Sequence, residues 1–149
     1  MRGYMRKRGD AWEFFREFTG SKVEQFPLPT GRPVALARLL DALASEVGLH
    51  LPGAVEPTRE AMDDARERVQ VLRAQMMAAQ EELDWEVYRL HGLIDRDLTH
   101  PRPPPLVLGE RAFEIVLARR LAAGEGQTTW FERHGSTPIT ELPAHWADD

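Results

Sequence analysis

Apolar positions recur most regularly between Thr58 and about His91, where Met62, Ala65, Val69, Leu72, Met76, Ala79, Leu83, Val87 and Leu90 follow one another at steps of mostly three and four. That seam predicts a long, coiled-coil-like helix with one apolar edge. Arg59, Glu60, Asp63, Asp64, Arg66, Glu67, Arg68 and Arg73 fill the positions between, and their mixed signs at helical-neighbour spacing suit a face in water. Thr58 is placed to cap the start and Gly92 to end the helix.

Upstream, Leu36, Leu39, Leu40, Leu43 and Val47 form a second stripe, predicting an amphipathic helix over 34–47 with its stop at Gly48. Pro52, Gly53 and Pro57 then let the chain reverse, so the two helices should form an antiparallel hairpin over 34–94. Before it, residues 1–33 read as a basic arm, a short aromatic helix over 10–18 with Phe14, Phe15 and Phe18 at helical spacing, and an extended connector containing Phe26-Pro27-Leu28-Pro29. After it, the prolines of 99–105 define a linker over 95–108. Residues 109–149 read as a third, shorter helix bearing Phe113, Val116, Leu117 and Leu121, followed by an irregular aromatic tail. The expected fold class is mainly α.

A long helix with a narrow apolar edge does not hold its fold alone; packing supplies most of its stability. The 34–47 helix, roughly 20 Å long, is less than half of the roughly 50 Å that the long helix spans at 1.5 Å per residue. The rest of the seam is therefore expected to meet another domain, a second copy, or the Phe14/Phe15/Phe18 segment. Trp85 and Tyr88 flank the seam and read as packing groups, while Trp130 and Phe131 read as anchors that dock the tail on a larger surface. The candidate packing and partner-docking residues are thus Met62, Val69, Leu72, Met76, Leu83, Trp85, Val87, Tyr88, Leu90, Trp130 and Phe131.

Charge narrows the choice of partners. A net charge of −5 over 149 residues argues against free-standing nucleic-acid binding, which favours a basic excess. Only Arg2, Arg6, Lys7 and Arg8 cluster as candidate phosphate contacts, and a solvated terminus is the plainer reading of them. The absence of cysteine excludes disulfides and thiolate chemistry and fits a reducing, cytoplasmic setting. No apolar run is long enough to span a bilayer, and the first residues lack the apolar stretch of a secretion signal.

No catalytic centre is legible. The five histidines show no i, i+4 pair of the kind that holds zinc on a helix, and Ser136 lacks the strand-to-helix setting of a nucleophile elbow. Neither glycine-rich phosphate loop occurs. Glu81, Glu82, Asp84 and Glu86 form a carboxylate cluster that reads as a solvated helix face rather than an acid/base pair. No catalytic, cofactor-binding or metal-ligating residue is assigned.

Four strings, Phe18-Thr-Gly-Ser-Lys-Val-Glu-Gln-Phe-Pro-Leu-Pro29, Gln80-Glu-Glu-Leu-Asp-Trp-Glu-Val-Tyr-Arg-Leu-His-Gly-Leu93, Gly109-Glu-Arg-Ala-Phe-Glu-Ile-Val-Leu-Ala-Arg-Arg120 and Thr129-Trp-Phe-Glu-Arg-His-Gly-Ser-Thr-Pro138, occur in that order. Together they resemble the C-terminal part of the adenine-specific DNA methyltransferases of BREX type 2 phage-defence systems (phage growth limitation, the PglX family), from about Asp10 onward. His91 stands where that family commonly has tyrosine. The resemblance implies methyl transfer from S-adenosylmethionine to the exocyclic amine of a flipped adenine. The family's Asn/Asp-Pro-Pro-aromatic signature is absent here, since Pro103-Pro104-Pro105 lies between Arg102 and Leu106, and the methionine-cofactor loop is absent too. The resemblance therefore implies a non-catalytic segment of a longer enzyme, with the remainder of the methyltransferase or other defence proteins as partners and DNA met only indirectly. The alternative is an independent helical protein that dimerises through the 62–90 seam.

Overall fold

The computed structural model describes the backbone over residues 3–8, 11–16 and 20–146, and the side chains of 20–21 and 23–146. The chain divides into two compact units, 1–30 and 31–149.

In the first unit, β1 (Gly3–Arg8) and β2 (Ala11–Arg16) pair as an antiparallel hairpin, with Tyr4 opposite Phe15, Met5 opposite Phe14 and Lys7 opposite Trp12. This corrects the helix expected over 10–18. Nine residues are too few to hold a helix without packing, aromatic residues favour a pleated backbone, and the sequence between the strands, Gly9-Asp10, is a dipeptide suited to a two-residue connection. Of the basic cluster, Arg6, Lys7 and Arg8 fall on β1, whereas Arg2 lies outside the described residues, as does Phe18. The connector, expected to be extended, opens with one short helix, α1 (Gly20–Glu24).

The second unit is built on one helix. α2 (Val34–Leu49) runs two residues beyond the expected end, carrying Gly48 in its last turn, and α3 spans Arg59–Leu90. Thr58 Oγ1 accepts the Ala61 N–H at 3.2 Å, which caps α3 as its sequence position requires, and Gly92 takes a positive φ of 67° just beyond its end. The two helices are antiparallel. Arg68 Nε donates to Glu46 Oε1 at 3.0 Å near one end, Leu39 and Leu43 share a cavity with Gln75, Ala78 and Ala79 further along, and Gly31 lies against Leu90 at the other end.

α2 covers one flank of α3, and the prolines cover another. The 99–108 segment, expected as a spacer, is a strap laid on α3: the Leu106 N–H donates to the Ala74 carbonyl at 3.1 Å, and Leu106 is 5% exposed. So close an approach of backbone to helix needs small side chains beneath it, and Ala74 and Ala78 supply them. The composition also suits a buried extended segment, because Pro101, Pro103, Pro104 and Pro105 have no N–H to satisfy. Further donors along it are met as well: His100 N–H by Glu82 Oε2 on α3, Arg102 N–H by His100 Nδ1, Val107 N–H by Glu110 Oε2 and Gly109 N–H by Glu114 Oε2.

α4 (Ala112–Ala122) follows the strap, starting three residues later than expected, and α5 (Trp130–His134) stands within the tail expected to be irregular. Gly135 closes α5 in the left-handed region, where the Ser136 N–H reaches back to the Phe131 carbonyl at 3.0 Å. Between α4 and the strap, Gly109 has φ +99° and a Cβ there would lie 2.5 Å from the Thr137 carbonyl oxygen, so only glycine lets the tail pass at that point.

Candidate functional site

The polar centre of the second unit lies where α3, the strap and the start of α4 meet. Glu81 and Glu82 are 8% and 7% exposed, which corrects their reading as a solvated face. Successive helix positions diverge by about 100°, but the strap and the α4 N-terminus together bury both. Glu81 Oε1 accepts the Ala112 N–H at 3.2 Å, and Glu81 Oε2 accepts from Arg111 Nε at 2.7 Å. A carboxylate from α3 thereby satisfies one of the free N–H groups at the start of α4 and sits at the positive end of that helix. Arg111 also reaches Asp84, whose other oxygen accepts from Gln80 Nε2 at 2.8 Å.

Glu114, 2% exposed, is the second junction. Its Oε2 accepts the Gly109 N–H at 3.0 Å and the Arg111 N–H at 3.3 Å, while Oε1 accepts from Trp130 Nε1 at 2.9 Å. One carboxylate thus ties the strap, α4 and α5 together. Trp130 is packed edge-on against Phe113, with ring centroids 5.2 Å apart, and stacks on His134 at 3.8 Å.

The electrostatics follow from these partners. Burial draws the Arg111 guanidinium down, but its hydrogen bonds and charge contacts with Glu81 and Asp84 outweigh burial and hold it above its ordinary value. Burial pushes the Glu82 carboxyl up, against the lowering effect of the His100 N–H and of His100's charge. Asp97, in water, is held below its ordinary value by the Thr99 hydroxyl and N–H. A carboxyl whose folded value is raised adds stability that is present in full below its ordinary value of 4.5 and is lost as pH rises through the folded value. Glu82→Gln keeps an acceptor for His100 and removes the titration. We therefore expect the variant to gain melting temperature over the parent as pH climbs from 4.5 to 7; thermal scans at several pH values check this, and parallel curves would rule it out.

These carboxylates act as clamps: Glu81, Asp84 and Glu114 each hold backbone or side-chain donors. Among the described residues no group of three or more histidine, cysteine or carboxylate side chains could hold a metal ion, and no helix is long and apolar enough to cross a membrane.

Two of the concavities among the described residues lie between α3 and the strap. A cavity of about 170 Å³ lies between Trp85, Trp146, Leu106, Pro103 and the buried Glu81 and Glu82. An open apolar groove of about 660 Å³ runs along α3, lined by Arg73, Ala74, Met76, Met77, Val107 and Leu108. Of the candidate docking residues, Leu72 is fully buried and Phe131 is 7% exposed, so both pack inside the unit, as does Trp130. Met62, Val69, Met76, Leu83, Trp85, Val87 and Leu90 are half-buried, and Tyr88 is exposed, meeting Trp85 edge-on at 5.8 Å. Only Met76 among them lines the groove. Met77, Val107 and Leu108 escaped sequence reasoning because two flank a proline run and Met77 is off the seam, although the Ala74/Ala78 spacing signals a close crossing at that level.

Residues 76–149, which carry the C-terminal part of α3, the strap, α4 and α5, match the family described as Domain of unknown function (DUF7008). In an alignment 145 residues long that covers 91% of the chain, it is 48% identical to a protein of Streptomyces coelicolor named "Adenine-specific methyltransferase PglX". The chain spans 12% of that relative's length, so it resembles one region of the PglX methyltransferase and a small part of the whole. No solved structure matches the chain significantly.

Proposed function

We propose that this chain is a non-catalytic segment, corresponding to the C-terminal part, of an adenine-specific DNA methyltransferase of a BREX-type phage-defence system. It acts in the cytoplasm and supports the catalytic and target-recognition regions. The observation that carries the reading is the proportion of the alignment: 48% identity runs through 91% of this chain yet touches 12% of the methyltransferase. The sequence has no Asn/Asp-Pro-Pro-aromatic motif, and the buried carboxylates are engaged as clamps. In this reading S-adenosylmethionine and the flipped adenine belong to the remainder of the enzyme, this chain binds no cofactor, and DNA contact is indirect.

Sedimentation velocity tests it, using this chain mixed with the Streptomyces relative from which the matching region has been deleted. A one-to-one complex is expected. Failure to associate with a folded deletion protein would overturn the reading, and a dimer of this chain alone, broken by charge placed on the 62–90 seam, would favour the independent interaction protein instead.

A further inference from the structure

The groove beside the strap is built unlike the rest of the surface. Its floor is the small side chain of Ala74 beneath the Leu106 N–H, its walls are Met76 and Met77 on α3 and Val107 and Leu108 on the strap, and both strap side chains are 53% exposed. Four large apolar side chains around one trough form a modest apolar patch edged by Gln70 and Arg73, a surface that the apolar side of a partner segment fits. Methionine walls adapt their shape to what lies between them. The volume, about 660 Å³, is in the range of sites that enclose a ligand or several side chains.

Charge restricts the occupant. The one charged residue of the lining is Arg73, and the described structure gives it no ion-pair partner. Neighbouring arginines on α3 are answered within the unit, Arg66 by Asp63 and Arg68 by Glu46. An apolar occupant with a carboxylate at its edge would complete Arg73 as those pairs complete its neighbours. The extent of the relative supplies the source: the matching region is continuous with a polypeptide of which it makes up 12%.

We propose that this groove seats an amphipathic segment, apolar on one side and carrying a carboxylate opposite Arg73, from the remaining part of the methyltransferase polypeptide. The proposal rests on the functional reading above and adds the surface through which it operates.

Methionine oxidation footprinting tests it on two folded proteins: the isolated chain, and a chimera in which this chain replaces the matching region of the Streptomyces relative. Met77 sulfoxide formation should fall at least tenfold in the chimera, while Met62, outside the groove, changes little. Leu108→Glu in the chimera should restore oxidation of Met77, and Arg73→Glu should do so in part; Val71→Glu, exposed outside the groove, should not. Equal oxidation of Met77 in chain and chimera overturns the proposal, as does protection that appears in the isolated chain only at high concentration, which would identify a second copy as the occupant. The two readings separate cleanly. An active chimera with Met77 unprotected removes the groove and leaves the functional assignment standing, whereas protection without any methylation supports the groove and removes the assignment.

Discussion

Glu114→Ala should cost about 3 kcal/mol of stability, because three N–H groups from three parts of the chain lose one buried acceptor. Gly109, Arg111 and Trp130 all donate to this carboxylate, which is 2% exposed, so water cannot replace it without opening the junction. A single orphaned buried donor costs about 1–3 kcal/mol, and removal of the charged acceptor offsets part of the sum. The effect should extend beyond one bond, since the strap, α4 and α5 are joined there. Glu114→Gln should recover only part of the loss, its amide having one oxygen where the carboxylate uses two. Chemical denaturation monitored by helical circular dichroism checks both variants; a change under about 0.5 kcal/mol for the alanine variant would refute the junction.

Arg111→Met should cost about 2–3 kcal/mol, by a different route. The Arg111 side chain is 24% exposed and bonds the side chain of Glu81, 11% exposed, as well as Asp84. Removing one partner of such a pair leaves uncompensated carboxylates, and full burial would make that loss about 3–5 kcal/mol; partial exposure lowers it. Glu81 retains the Ala112 N–H, which keeps the cap on α4 but not the charge balance. The double variant Arg111→Met/Glu81→Gln should therefore be closer to the parent than the single variant. A double-mutant cycle by equilibrium denaturation measures this, and strict additivity would show that the pair does not interact.

The sequence disclosed the skeleton where local rules decide it. The limits of α3 follow from Thr58 and Gly92, each of which performs its expected role, and the stripe of α2 fixes that helix to within two residues. Gly48 did not end α2 because its backbone is helical, and glycine permits an end without compelling one. The aromatic run of 11–16 fits both a helical and a pleated spacing, and the choice between them depends on the strand opposite, which a single segment does not show. The buried junction was hidden for a similar reason. Glu81 and Glu82 look like any charged pair on a long helix until residues 100–112, some twenty to thirty positions away, come to lie over them. One clue was available: Arg111 immediately before α4, with Glu114 in its first turn, is the spacing at which a carboxylate reaches back to the helix start.

The prolines carried the opposite lesson. Their run reads as a spacer because it suits an extended backbone, yet the missing N–H groups also allow that backbone to lie on a helix with little left unsatisfied. The structure takes the second course, and the groove arises where the strap leaves α3 at Val107 and Leu108.

The most direct test of the account is adenine methylation of DNA, with S-adenosylmethionine, by three proteins side by side: this chain alone, the Streptomyces relative lacking the matching region, and the chimera carrying this chain in its place. The account predicts no methyl transfer by the chain, a loss of at least tenfold on deletion, and recovery in the chimera. Turnover by the isolated chain, or a deletion protein as active as the chimera, would contradict it.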